Sequence, residues 1–112
     1  MDGRQAQVLK GLAELALLSL LEEGPQYGLE ILDRLREDAG LGLAEGTIYP
    51  LLHRLEGAKL VQSKWRLDAE ASRPRKYYEL TSSGRKELAV QLTEWFELSN
   101  ALGKFLDRRR LK

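Results

Sequence analysis

The last quarter of this chain places the hardest constraint on its fold. After Thr81-Ser82-Ser83-Gly84, which reads as a helix cap, an amphipathic segment continues to Leu106. Leu88, Leu92, Trp95, Ser99, Leu102 and Leu106 recur at spacings of four, three, four, three and four, with Phe96 and Phe105 on flanking positions. That is a heptad-like seam. As one helix from Thr81 to Leu106 it would be about 39 Å long at 1.5 Å per residue. The upstream elements are too short to cover such a length. The expected remedy is a second copy of the chain, with Leu88, Leu92, Trp95 and Leu102 as dimer contacts.

Those upstream elements change period midway. Gln5 to Glu23 is apolar over most of a helical circumference, which suggests burial on two sides, and Gly24-Pro25 stops it. A second helix is expected from near Tyr27 to Ala39, with Tyr27, Ile31 and Leu35 as its stripe and Glu30 to Arg34 as an i,i+4 pair. Gly40 and Gly42 end it. The third helix spans Thr47 to Ala58. Pro50 is tolerated only in a first turn, so Thr47 is the expected N-cap, and Thr47, Tyr49, His53 and Arg54 are expected to face outward.

Beyond Ala58, Val61, Ser63, Trp65 and Leu67 alternate with Gln62, Lys64 and Arg66, the repeat of a strand with one buried face. Asp68 to Pro74 is a polar connector. Arg75 to Leu80 is a second strand, with Tyr78 and Leu80 on its inner face and Tyr77 on the other.

Composition excludes much. The 112 residues include no Cys, one Met at position 1 and one His, His53. Disulfides, thiolate sites and multi-His metal centres are therefore out of reach, and neither a metal nor a cofactor is expected. His53 reads as a solvated polar residue. The longest apolar run, Leu15 to Leu21, is too short to span a bilayer, so the chain is expected to be soluble and cytoplasmic, with no membrane partner. No carboxylate pair sits in an evident pocket, which argues against an enzyme.

The formal charge of +1 hides a partition. Residues 1–58 carry 5 basic and 10 acidic side chains, residues 59–86 carry 8 and 3, and residues 87–112 carry 5 and 4. The hairpin is the cationic element on an acidic or neutral body. Its Lys and Arg side chains could be solubilising guards of exposed strands. Three helices followed by a basic hairpin, however, is the layout of a winged helix-turn-helix. In that fold the third helix enters the major groove and the wing touches backbone or minor groove. The tail Arg108-Arg109-Arg110-Leu111-Lys112 reads as a frayed, solvated end. The fold class is thus mainly α with a two-stranded β wing. Residues 1–80 are expected to form a DNA-binding winged helix-turn-helix, and residues 81–112 a dimerisation helix and basic tail.

Three stretches carry a family resemblance. They are Leu21-Glu22-Glu23-Gly24-Pro25 with Tyr27-Gly28; Glu45-Gly46-Thr47-Ile48-Tyr49-Pro50-Leu51-Leu52-His53-Arg54-Leu55-Glu56; and Arg73-Pro74-Arg75-Lys76-Tyr77-Tyr78-Glu79-Leu80-Thr81 followed by Gly84. In this order and separation they resemble the PadR-like transcriptional regulators, in the short branch with a single C-terminal helix. One departure is that Ala71-Ser72 stands where the family wing usually carries Gly.

The resemblance implies a homodimer built through the first and last helices. It implies binding to a pseudo-palindromic operator in double-stranded DNA, usually to repress. By position, Thr47, Tyr49 and Arg54 would face DNA from the third helix, and Lys64, Arg73, Arg75 and Lys76 would hold backbone or minor groove from the wing. Trp95 reads two ways. It is dimer core, or it is one of a pair of tryptophans that sandwich a planar aromatic effector, with Val8, Leu15, Leu92 and Ser99 as neighbours. A winged helix used only as a protein–protein adaptor is the second reading of the whole chain.

Overall fold

The computed structural model describes the backbone of residues 3–67 and 73–109 and, from Leu12 onward, their side chains. The elements are α1 (Gly3–Leu21), β1 (Gln26–Tyr27), α2 (Gly28–Ala39), α3 (Glu45–Gly57), β2 (Val61–Arg66), β3 (Arg75–Leu80) and α4 (Ser82–Asp107). Leu17, Leu18 and Leu21 of α1 are fully buried, together with Ile31, Ile48, Leu52, Leu55, Val61 and Leu88 from the other elements. The broad apolar surface of α1 thus seats it at the centre, against α2 on one side and α4 on the other.

The turn after α1 is tight. Glu23 and Gly24 donate their backbone N–H groups to the carbonyls of Leu20 and Leu21, at 3.1 Å each, and Gly24 takes φ +134°, a conformation that favours glycine. The chain then makes a short strand that periodicity did not foretell. Gln26 pairs with Tyr78 and Tyr27 with Tyr77, so the sheet has three strands in the order β1-β3-β2. The expected two-stranded wing is therefore held on a second edge at its base. Buried Gln26 secures the strand by donating Nε2 to the Leu20 carbonyl at 2.9 Å.

Tyr27 is the N-cap of α2, and its N–H donates to the Glu30 carboxylate at 3.4 Å. Glu30 does not pair with Arg34 as expected. Arg34 instead donates to Asp38 at 2.6 Å and Glu23 at 2.8 Å. At the other end Gly40 adopts φ +69°, and Leu41 N–H reaches the Leu35 carbonyl at 2.9 Å, a Schellman-type stop.

The third helix starts earlier than Pro50 suggested. Ala44 is its N-cap, and both Thr47 and Ile48 donate to the Ala44 carbonyl, so Thr47 lies inside the first turn. Pro50 removes the N–H that would reach Gly46 one turn back. Both residues are solvent-exposed, so water can take the orphaned carbonyl.

Strand β2 keeps its inner face only at the start. Val61 is buried and Ser63 half-buried, but Trp65 and Leu67 are 68% and 70% exposed. The alternation is correct, but the face it defines is buried only at Val61 and half-buried at Ser63. On β3, Tyr78 and Leu80 are buried as expected.

Thr81 caps α4, accepting from Gly84 N–H at 3.0 Å and donating Oγ1 to the Lys59 carbonyl at 2.7 Å. Gly84 lies so near the Leu60 carbonyl that a Cβ there would come within 2.0 Å of the oxygen. The seam then divides. Leu88 is 1% exposed within this chain's own core, and Leu92 packs against that core. Leu88 is therefore a fold residue, and its expected role as a dimer contact is corrected. Farther along, Trp95, Phe96, Leu98, Leu102, Phe105 and Leu106 are all exposed. The radius of gyration is 16.2 Å, against about 13 Å for a compact domain of this size, and the extents of 56 × 31 × 21 Å show an elongated molecule.

Candidate nucleic-acid interface

Ile48, Leu52 and Leu55 anchor α3 in the core, which orients everything else on it. At 3.6 residues per turn, the direction opposite that stripe belongs to Gly46, Pro50, His53 and Gly57. Thr47 and Arg54, seven residues apart, share one shoulder of the helix. Tyr49 lies about 160° around from Thr47 on the other shoulder, beside Glu56. The expected outward set thus splits in two.

The Tyr49 shoulder faces α2 and the wing. A Cβ on Gly28 would fall 2.1 Å from the Tyr49 hydroxyl, so the missing side chain of Gly28 is what lets the phenol lie there. Tyr49 joins Tyr27, Trp65, Arg75, Lys76 and Tyr78 around a cleft of about 350 Å³ between the α2 N-terminus and the wing. Glu56 accepts hydrogen bonds from the Ser63 hydroxyl and lies 3.9 Å from Lys76 Nζ.

On the other shoulder, Arg54 does not project freely. Its Nη2 donates to Glu14 Oε1 of α1 at 2.5 Å, while Gln91 of α4 donates to Glu14 Oε2 at 2.5 Å. Burial pushes the Glu14 carboxyl up. The hydrogen bonds from Arg54 and Gln91 and the Arg54 charge outweigh that and hold it below its ordinary value. The Arg54 guanidinium, expected to face DNA, is turned toward α1 in this structure.

The wing cations also occupy two faces. Strand register places Lys64 opposite Tyr77 and Arg66 opposite Arg75 on the outer face, whereas Trp65 opposes Lys76 on the inner one. The outer face is a stack. The Arg66 guanidinium lies 4.4 Å from the Tyr77 ring centre, Tyr77 meets Tyr27 edge-on at 5.5 Å, and Arg75 covers Tyr27 at 4.5 Å. Such contacts hold long cationic side chains in place while leaving charge toward solvent. Lys64 sits 3.6 Å from Glu79, and Arg73 is exposed ahead of β3. Arg66 was absent from the expected set of DNA-facing residues. Its place in the charge count and its alternation with Lys64 were the available signals. The connector containing Ala71-Ser72 lies outside the described residues.

The expected effector neighbours come together only in part. A groove of about 180 Å³ between α1 and α4 is lined by Leu12, Leu15, Gln91, Glu94, Trp95 and Leu98. Leu15 and Trp95 meet there. Leu92 packs against the core, the Ser99 hydroxyl donates to the Phe96 carbonyl at 3.4 Å, and the Val8 side chain lies outside the described residues. Among the described residues no three His, Cys, Asp or Glu side chains are placed to hold a metal ion, and no helix is long and apolar enough to cross a membrane.

Helix-turn-helix, cationic wing and long terminal helix define a winged helix DNA-binding protein. The chain belongs to the transcriptional regulator PadR-like family, whose model matches residues 17–90, from the C-terminal end of α1 into α4. It is similar to a PadR family transcriptional regulator from Eggerthella lenta, at 35% identity over 90% of this chain and 88% of that one, with a TM-score of 0.78. A PadR-like regulator from Bacillus cereus is 30% identical over 89% and 96% of the two chains, with a TM-score of 0.81. An uncharacterized protein from Lysinibacillus sphaericus is 27% identical over 105 residues, covering 92% of this chain and 95% of that one. The resemblance read from the three sequence stretches is thus borne out, and the chain is a transcriptional regulator acting through DNA.

Proposed function

We propose that this regulator works in the cytoplasm as a homodimer that represses transcription from a pseudo-palindromic operator. The observation that carries the reading is the second half of α4. Six large apolar side chains between Trp95 and Leu106 stand exposed on a protomer whose own core is already complete. A second α4 laid along them would bury that surface and place two copies of α3 and the wing on one side of a duplex. Residues 1–80 then serve as the DNA-binding unit and residues 81–112 as the dimerisation unit, with the first turns of α4 shared between them.

Thr47 and Tyr49 position α3 in the groove, and Lys64, Arg73, Arg75 and Lys76, with Arg66, hold the phosphates. A planar aromatic compound in the groove between Leu15 and Trp95 would relieve repression.

Operator footprinting across a salt series tests this function. Replacing Arg75 and Lys76 together with Ala should reduce the slope of log affinity against log salt by about 0.9 for each phosphate no longer neutralised. No binding of the wild-type protein to any duplex at low salt would overturn the reading.

A further inference from the structure

We propose that Glu14 is a positioning residue that competes with DNA phosphate for Arg54 and so restrains operator affinity. This rests on the DNA-binding function proposed above and adds a residue of α1 to its control.

Arg54 shares the Thr47 shoulder of α3, two turns farther along, and its side chain is 62% exposed. In that position an unengaged guanidinium can swing to a phosphate flanking the groove that α3 enters. It is engaged instead. Glu14 is only 27% exposed, against 57% and 54% for Glu23 and Asp38, the carboxylates that hold Arg34. Both of its oxygens are occupied, one by Arg54 and the other by Gln91. Gln91 in turn is tied to Glu87 at 2.8 Å, so the carboxylate is fixed from α4 before it meets Arg54. A half-buried acceptor locked at both oxygens holds a cation far better than an exposed, mobile one does.

The clamp therefore joins α1, α3 and α4 at one point. Its α4 member, Gln91, also lines the groove beside Trp95. Two hydrogen bonds through one carboxylate separate that groove from the DNA-facing helix.

The test uses the full chain, an operator duplex and a salt series, with Glu14→Gln, Arg54→Ala and the double variant. Glu14→Gln keeps the shape and the contact to Gln91 while removing the charge that detains Arg54. Affinity should rise roughly eightfold at 0.1 M salt for each Arg54 released, with the salt slope steeper by about 0.9. The double variant should forfeit that gain and return to the slope of Arg54→Ala. A merely structural ion pair would lower the melting temperature of Glu14→Gln and leave the salt slope at the wild-type value, and that result would overturn the proposal. Wild-type binding is measured in the same titrations, so failure of the DNA-binding reading shows as no complex in any arm and is distinct from failure of the clamp.

Discussion

Leu88 and Leu102 occupy the same stripe of α4 but differ in burial, and the roles proposed for them can be separated by substitution. Leu88 is 1% exposed and packed with Leu18, Leu21 and Val61 in one core cluster, whereas Leu102 is 50% exposed. Leu88→Ala removes a buried isobutyl group and leaves a cavity, which costs about 3 kcal/mol. In a domain of this size that lowers the melting temperature by about 10–20 °C. Leu102→Glu disturbs nothing in the protomer core and instead sets a charge in the proposed dimer seam. Thermal unfolding followed by circular dichroism at several protein concentrations distinguishes the two. For the wild type the midpoint should rise with concentration, because association stabilises the folded chain. Leu88→Ala should lower the whole series and keep its concentration dependence. Leu102→Glu should abolish the dependence while retaining the helical signal, and light scattering should report a monomer. The division of α4 into fold and seam is refuted if Leu88→Ala costs less than about 1 kcal/mol, or if Leu102→Glu remains dimeric.

Two further outcomes follow from close approaches and from the groove. Gly84→Ala should destabilise the protein by at least about 2 kcal/mol in urea titrations, because the Leu60 carbonyl 2.0 Å from the new methyl is backbone and cannot swing aside. Titrating a Trp65→Phe variant with planar aromatic compounds should change Trp95 emission and raise the melting temperature if the groove takes an effector. Unchanged emission and melting with such compounds would identify Trp95 as seam packing alone.

What the sequence discloses here tracks how local each cause is. The helices and the two longer strands were legible because apolar spacing reports which face is dry. The stripe from Leu88 to Leu106 is equally legible as apolar, but spacing does not say what covers it, and so does not separate Leu88 from its solvent-facing neighbours. Two-residue β1 has no period to read. It exists because β3 offers Gln26 and Tyr27 an edge, which is a tertiary cause. Pro50 draws the expected cap to Thr47 and groups it with Tyr49 on one outward face, whereas burial of Ile48, Leu52 and Leu55 sets the two on opposite shoulders. Arg54 is expected to face outward toward DNA, and its side chain is 62% exposed. Its partner Glu14 lies forty residues upstream, a distance at which no local pattern links two charges.

The short strand β1 has a consequence for how an operator is measured out. A hairpin attached only by its own ends can hinge at its base, and docking it on a duplex forfeits that freedom. Here Gln26 and Tyr27 pair with Tyr78 and Tyr77 of β3, which ties the base of the wing to the segment that enters α2. The same two residues lead directly into α2, which means that the turn after α1 works as a protractor for the whole recognition surface. Lengthening that turn by one residue would rotate the wing base and the helix pair relative to each other. The span between contacts in a half-site would change with every DNA-facing side chain still in place.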